Sequence, residues 1–253
     1  MSRAKDIYFE TRKRHDQLFN TYVMRPVAAL LVAALSRTSV TPNQVTLASI
    51  TFFVIGAGLM VALGGIRGGL IAVAVMELSY LLDCADGMLA RHKKIASKAG
   101  HLFDFFTDEL KAVMLAAVVG VRLWRFGGRG YDVTAWPPHD ARFLLATIAV
   151  VGAVSSAISL TNFVRRPEIS GKETPVEAHY EAAGEAASAG GARWLVSQAM
   201  TFLRFLNHYP SHIWIFVAVG RLDAFFWMYG AINLLYLARG WLGLFLRFGR
   251  RGS

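Results

Sequence analysis

Apolar residues run almost unbroken from Val45 to Leu63, long enough to cross a bilayer as one helix. The stretch before it, Phe19 to Arg37, is shorter and moderately apolar with Arg25 and Arg37 near its ends, which predicts an amphipathic helix lying in the bilayer interface. Thr41-Pro42-Asn43 between them is a turn and helix-start signal. Gly64-Gly65-Ile66-Arg67-Gly68-Gly69 predicts a tight return into a second span over Leu70 to Ala90, which stops at Arg91, His92, Lys93 and Lys94. A third span begins near Lys98 and leaves through Trp124. The loop Arg125 to His139 leads to a fourth, Phe143 to Val164, stopped by Arg165-Arg166-Pro167. Ile169 to Gly191, rich in Ala, Glu and Gly, predicts a polar loop. Beyond it Trp194 to Leu206 is amphipathic, Ile213 to Val219 is short, and Leu222 to Phe245 is a full span. The pattern predicts an all-α integral membrane protein: six transmembrane helices preceded by an amino-terminal interfacial amphipathic helix. Residues 1–44 form the amino-terminal segment and residues 45–253 the six-helix domain, with a cytoplasmic loop at 165–194.

Composition narrows the setting. The 253 residues are 55% hydrophobic and only 17% charged, with a mean hydropathy of +0.40, too apolar for a soluble domain of this size. The formal charge of +10 does not point to nucleic acid, because the basic residues flank apolar segments instead of forming a stripe. They fit topology signals and an anionic lipid surface. Lys5, Lys13, Lys93, Lys94, Lys98, Lys172, Arg247, Arg250 and Arg251 fall on one predicted side, which is therefore the cytoplasm; Arg122, Arg125, Arg129 and Arg142 fall on the other and count against that assignment. Ser2 to Asn20 is polar and basic, unlike the apolar core of a secretory signal, so the amino terminus is expected in the cytoplasm. The single Cys84 excludes an intramolecular disulfide, and no Cys/His spacing suggests zinc. Trp124, Trp136, Trp194, Trp227 and Trp241 read as interfacial anchors.

Against this background four acids stand out. Asp83 and Asp86 close the apolar run of the second span, and Asp104 and Asp108 open the third. A carboxylate at bilayer depth costs about 2.5 to 3.5 kcal/mol on insertion scales, so a group of them calls for a ligand. At about 100° per residue, Asp83, Asp86, Gly87, Ala90 and Arg91 share one face of the second span, and Gly100, Asp104, Asp108 and Lys111 share one face of the third. Two antiparallel neighbours joined by a short loop can turn these faces together. Protons or cations must then neutralise the cluster, and an all-oxygen donor set favours Mg²⁺ or Mn²⁺, with two ions suiting four acids. Paired ions of this kind serve phosphoryl transfer, Gly87 lets a ligand approach the backbone, and Arg91 can pair with phosphate. Two other readings use the same residues: acids ion-paired to Arg91 or Lys111, or a cation or proton path through a transporter.

The run Asp83-Cys84-Ala85-Asp86-Gly87-Met88-Leu89-Ala90-Arg91, followed by Gly100, Asp104 and Asp108, resembles the signature of the CDP-alcohol phosphatidyltransferases, with every fixed position present. Thr41 to Thr46 resembles the stretch that opens that family's first span. The resemblance implies a dimeric six-helix membrane enzyme in which an acceptor hydroxyl attacks the β-phosphorus of a CDP-alcohol and CMP leaves. It implies Asp83, Asp86, Asp104 and Asp108 as metal ligands and Asp108 also as general base. Asn43, Thr46, Asp83, Asp86, Gly87, Arg91 and Gly100 would hold the CDP-alcohol. Lys111, Arg165, Arg166 and Arg204 are the acceptor-side candidates. The expected donor is CDP-diacylglycerol, in phospholipid synthesis at a bacterial-type inner membrane with the site facing the cytoplasm; the alternative donor is a soluble CDP-linked polar alcohol such as CDP-inositol.

Overall fold

The structure, a computed structural model, describes residues 2–12, 16–170 and 192–250. The polar loop expected at 169–191 lies outside the described residues from residue 171 onward, as do Lys13, Lys172 and Arg251. The chain divides into two compact units, Met1–Val118 with Ile213–Gly220, and Val119–His212 with Arg221–Ser253.

The first unit begins with α1 (Ser2–Glu10), followed by a π-helical turn (Asn20–Met24) that continues into α2 (Arg25–Leu35). Sequence pattern alone left α1 as a polar basic segment, yet Ala4 and Ile7 turn inward and join Ala28, Ala29 and Val32 of α2 against Ala85, Met88 and Leu89. The opposite side of α2 is also apolar, with Val27 and Leu30 exposed. α3 (Pro42–Ala62) starts where the sequence predicted, through a reciprocal cap: the Gln44 amide donates to the Thr41 hydroxyl while the Thr41 amide donates to the Gln44 side chain. It packs along α4 (Gly65–His92), and Ser49 and Ser79 each donate to the other's carbonyl, at 2.8 and 2.7 Å.

The glycine run between these helices departs from expectation. Gly65, at φ +66°, already opens α4, five residues before the predicted start at Leu70. A Cβ on Gly68 would stand 2.6 Å from that of Leu63, so the close return needs glycine inside the first turns of the helix as well as before it.

α5 (Lys98–Phe126) has residues in both units. In the second unit a two-stranded antiparallel hairpin, β1 (Gly128–Arg129) with β2 (Ala135–Trp136), occupies the stretch expected as a plain loop. Trp136 is 2% exposed, packed edge-on against Tyr131, Phe143 and Trp227. It is a core residue of the hairpin and not an interfacial anchor. α6 (Ala141–Arg165), the short α7 (Pro167–Ser170) and α8 (Ala192–Asn207) follow. A 3₁₀ turn (Tyr209–Ser211) precedes α9 (Ile213–Ala218), which belongs to the first unit, and α10 (Leu222–Arg250) ends the second.

Among the described residues, α3, α4 and α6 are long and apolar enough to cross a membrane. α5 and α10 have the length, at 29 residues each, and α5 carries the acids Asp104, Asp108 and Glu109 within its first half. α9 has six residues, a rise of roughly 9 Å, so it does not cross a bilayer alone. The stretch with the weakest pattern, between Trp194 and Val219, is thus broken into α8, a turn and α9.

Candidate active site

The ends of α4 and α5 carry the four acids, and all four fall in the first unit. The turn between the helices reverses at Lys94, which has φ +57°, and Lys93 ties it down by donating to the carbonyls of Thr38 and Val40 at 2.9 and 2.8 Å. Ser97 accepts the Gly100 amide at 3.0 Å and so begins α5. The helical spacing then brings Asp83, Asp104 and Asp108 together, each offering an oxygen within 4.8 Å of the other two. Ligands on opposite sides of one hard divalent ion, bound at roughly 2.0–2.6 Å, lie about 4 to 5 Å apart, so the span of this set matches one ion. The donors are all carboxylate oxygens, with no imidazole or thiolate among them, which also fits a hard ion. The residues present therefore fit the divalent metal that the sequence suggested.

Asp86 stands differently. It is 3% exposed, and the Thr46 hydroxyl of α3 donates to its Oδ2 at 2.5 Å. The charges of Asp83, Asp104 and Lys111 reach it, so it shares the neighbourhood while standing outside the convergent trio. Thr46, expected at the nucleotide, is here the partner of an acid. The Lys111 ammonium donates to Asp83 Oδ1 across the helix pair and, at 3.4 Å, to Asp108 Oδ1.

The glycines of the motif leave room where the resemblance places the donor. A Cβ on Gly100 would lie 3.2 Å from Asn43 Oδ1, which brings the start of α5 against the expected nucleotide residue Asn43. At Gly87 the nearest atom to a Cβ would be Arg91 Nη1 at 3.4 Å, so the guanidinium lies along a bare stretch of α4. Glu77 lies one and a half turns before Asp83, and neither of its buried carboxylate oxygens accepts a hydrogen bond.

Sequence reasoning missed a buried polar relay beside this site. Asp16 accepts from Arg25 Nε and, at 3.0 Å, from the Asn20 amide, while Asn20 Oδ1 accepts from the Tyr80 hydroxyl at 2.7 Å. It fixes the segment before α2 onto α4 three residues ahead of Asp83. The signal in the sequence was Arg25 inside the moderately apolar stretch, with Asp16 nine residues earlier in the polar segment before it.

Arg165, Arg166 and Arg204 belong to the second unit. Arg165 lines a cavity of about 380 Å³ between α6 and α10, together with Tyr236 and Arg239. Arg204 and Arg239 both act electrostatically on Tyr236, which brings Arg204 into the same neighbourhood, whereas Arg166 is exposed at the end of α6. Arg239 was not singled out from sequence, although an arginine inside a long apolar run is itself a signal of function.

The family model of the CDP-alcohol phosphatidyltransferases matches residues 39–183, more than half of the chain. The chain belongs to this family. No curated protein matches it. The matched residues include all four acids, Asn43, Thr46, Gly87, Arg91, Gly100 and Lys111. Membership, with the apolar helices, makes the protein an integral membrane transferase that moves a substituted phosphate from a CDP-alcohol to an acceptor hydroxyl. Members of the family generally use divalent metal, in keeping with the acid trio.

Proposed function

We propose that the protein is a Mg²⁺- or Mn²⁺-dependent phosphatidyltransferase that transfers the phosphatidyl group of CDP-diacylglycerol to an acceptor alcohol in phospholipid synthesis. The observation that carries the reading is the convergence of Asp83, Asp104 and Asp108 within 4.8 Å at the end of a helix apolar enough to cross a bilayer. Acids at that position suit a donor whose reacting phosphate is tethered to lipid.

Asp83, Asp86, Asp104 and Asp108 hold the metal, with Asp86 oriented by Thr46; two ions suit the four charges. Bound metal supplies charge neutralisation for the diphosphate and the departing CMP. Asn43, Gly87, Arg91 and Gly100 surround the cytidine diphosphate part, with Thr46 acting through Asp86, supported by the bare backbone at Gly87 and the approach of Asn43 to Gly100. Asp108, the most exposed of the trio, takes the acceptor hydroxyl proton as the new O–P bond forms at the β-phosphorus and the bond to CMP breaks. Lys111, Arg165, Arg166 and Arg204 serve the acceptor, and the cationic, partly apolar cavity beside Arg165 and Arg239 supports a phosphorylated or lipid-like one. We assign six crossings, with the helix at Asn20–Leu35 in the interface, to one catalytic domain over residues 45–253. The site faces the cytoplasm of a bacterial-type inner membrane, and the enzyme is a homodimer.

The test is CMP release in Mg²⁺ or Mn²⁺ with CDP-diacylglycerol and with CDP-inositol, each against glycerol 3-phosphate, serine, inositol, inositol phosphate and phosphatidylglycerol. Release that requires CDP-diacylglycerol supports the proposal, and release with CDP-inositol alone replaces the donor. No release with either, and no binding of CMP or CDP, sinks it. An Arg165→Ala, Arg204→Ala pair that loses activity only with phosphorylated acceptors supports the acceptor assignment; equal loss with every acceptor removes it.

A further inference from the structure

Lys111 and Asp108 are neighbours on α5, but the lysine makes its closer bond on the other helix. Its ammonium donates to Asp83 Oδ1 on α4 and, at 3.4 Å, to Asp108 Oδ1, and the residue is 3% exposed. The two carboxylates it joins belong to the trio whose oxygens converge within 4.8 Å. We propose that Lys111 is a built-in counter-cation of the acid cluster, which competes with divalent metal and must release Asp83 before the metal is fully bound. The inference rests on reading Asp83, Asp104 and Asp108 as metal ligands and adds a determinant of affinity: the lysine raises the metal concentration at which the site fills.

The physical basis is charge and donor chemistry. Carboxylates gathered out of bulk water repel one another unless a cation lies among them. An ammonium supplies one positive charge and only donors, so it neutralises part of the cluster and binds no second cation. A divalent ion supplies two charges and takes several of the same oxygens at once. The four-carbon stem of lysine lets the ammonium withdraw without moving the backbone, which the planar fork of arginine would resist. A purely mechanical role makes the opposite prediction: if Lys111 only clips α4 to α5, its loss separates the acids and weakens metal binding.

The sign of one measurement separates the two roles. Mn²⁺ binding to the full-length protein in nanodiscs, followed by electron paramagnetic resonance, is compared for wild type, Lys111→Met and Lys111→Arg. Competition predicts that Lys111→Met lowers the Mn²⁺ Kd about tenfold or more, while Lys111→Arg leaves it equal to wild type or weaker. It also predicts that Lys111→Met lowers the Tm in chelator and enlarges the gain in Tm on adding Mn²⁺. If Lys111→Met survives only when prepared in Mn²⁺, slower release of the ion to added chelator than from wild type is expected. An unchanged or higher Kd, or faster release, overturns the counter-cation role while leaving the metal site intact. Absence of Mn²⁺ binding to wild type overturns the metal site, and this inference with it.

Discussion

Two charged regions of the molecule obey different rules. At the hairpin of the second unit every acid has its own donor: Asp140 accepts the Arg142 amide at 2.9 Å and its guanidinium at 2.6 Å, and Asp132 accepts both the amide and the hydroxyl of Thr134. Arg142 in turn lies 4.3 Å over the Trp136 ring. Asp132 is exposed and Asp140 is part-buried beside the exposed Arg142, and these hydrogen bonds hold both carboxyls below their ordinary titration range. At the ends of α4 and α5, four acids share one neighbourhood with Lys111 among them. Balanced, hydrated charge shapes a turn, whereas a same-sign surplus in a partly dry site needs a partner from outside. The contrast explains why the first set reads as structure and the second as chemistry.

The largest effects are expected where the surplus is reduced. Asp104→Ala removes a ligand without touching Lys111, so Mn²⁺ binding and CMP release should both be lost; retained binding would place the ion elsewhere. Asp108→Asn keeps the size of the side chain but removes the proton acceptor. Turnover should fall by about 10² to 10⁴-fold while CDP-alcohol binding persists, measured by CMP release and by ligand-induced change in Tm. Near-normal turnover would leave Asp108 as a ligand only.

The hairpin should respond in stability instead. A Cβ on Gly130 would lie 2.0 Å from the Trp136 ring, so Gly130→Val forces the tryptophan out of its packing. Overpacking of this kind costs about 1 to 3 kcal/mol. The Tm should drop while the Mn²⁺ Kd stays within about twofold of wild type. A change in metal affinity as large as the change in stability would erase the division between the two regions.

How much of this was legible follows the range of each interaction. The start of α3 was readable because its cap is formed by Thr41 and Gln44, three residues apart. The acids were readable because helical period puts them on facing stripes, and a two-helix hairpin leaves few ways to join them. What stayed hidden depends on partners distant in sequence. Asp86 looks like its neighbours until Thr46, forty residues earlier, is seen to hold it. Lys111 sits one turn from Asp108, and nothing in that spacing tells that it also reaches Asp83 on the other helix. α1 carries too few apolar positions to announce itself, since Ala4 and Ile7 gain their meaning from α2 and α4. The glycine run misled in another way: the features that suggest a turn also permit a helix to begin at close quarters.

The smallest effect expected is the most diagnostic of the hydrated region. Asp140 caps α6 and pairs with Arg142, and its carboxyl titrates lower in the folded protein than in the unfolded chain. A group shifted in that direction stabilises the fold fully above its unfolded pKa of about 3.9, and ceases to do so as pH falls through the lower folded value. Asn is as good a cap as Asp, so Asp140→Asn isolates the charge from the capping hydrogen bond. The variant should melt slightly below wild type at pH 7, and the gap should close both on acidification below the carboxylate range and on adding salt, which screens exposed charge. A gap that persists in acid and in high salt would mean that Asp140 acts through packing, and the hairpin would then no longer stand as the solvated counterpart of the acid cluster.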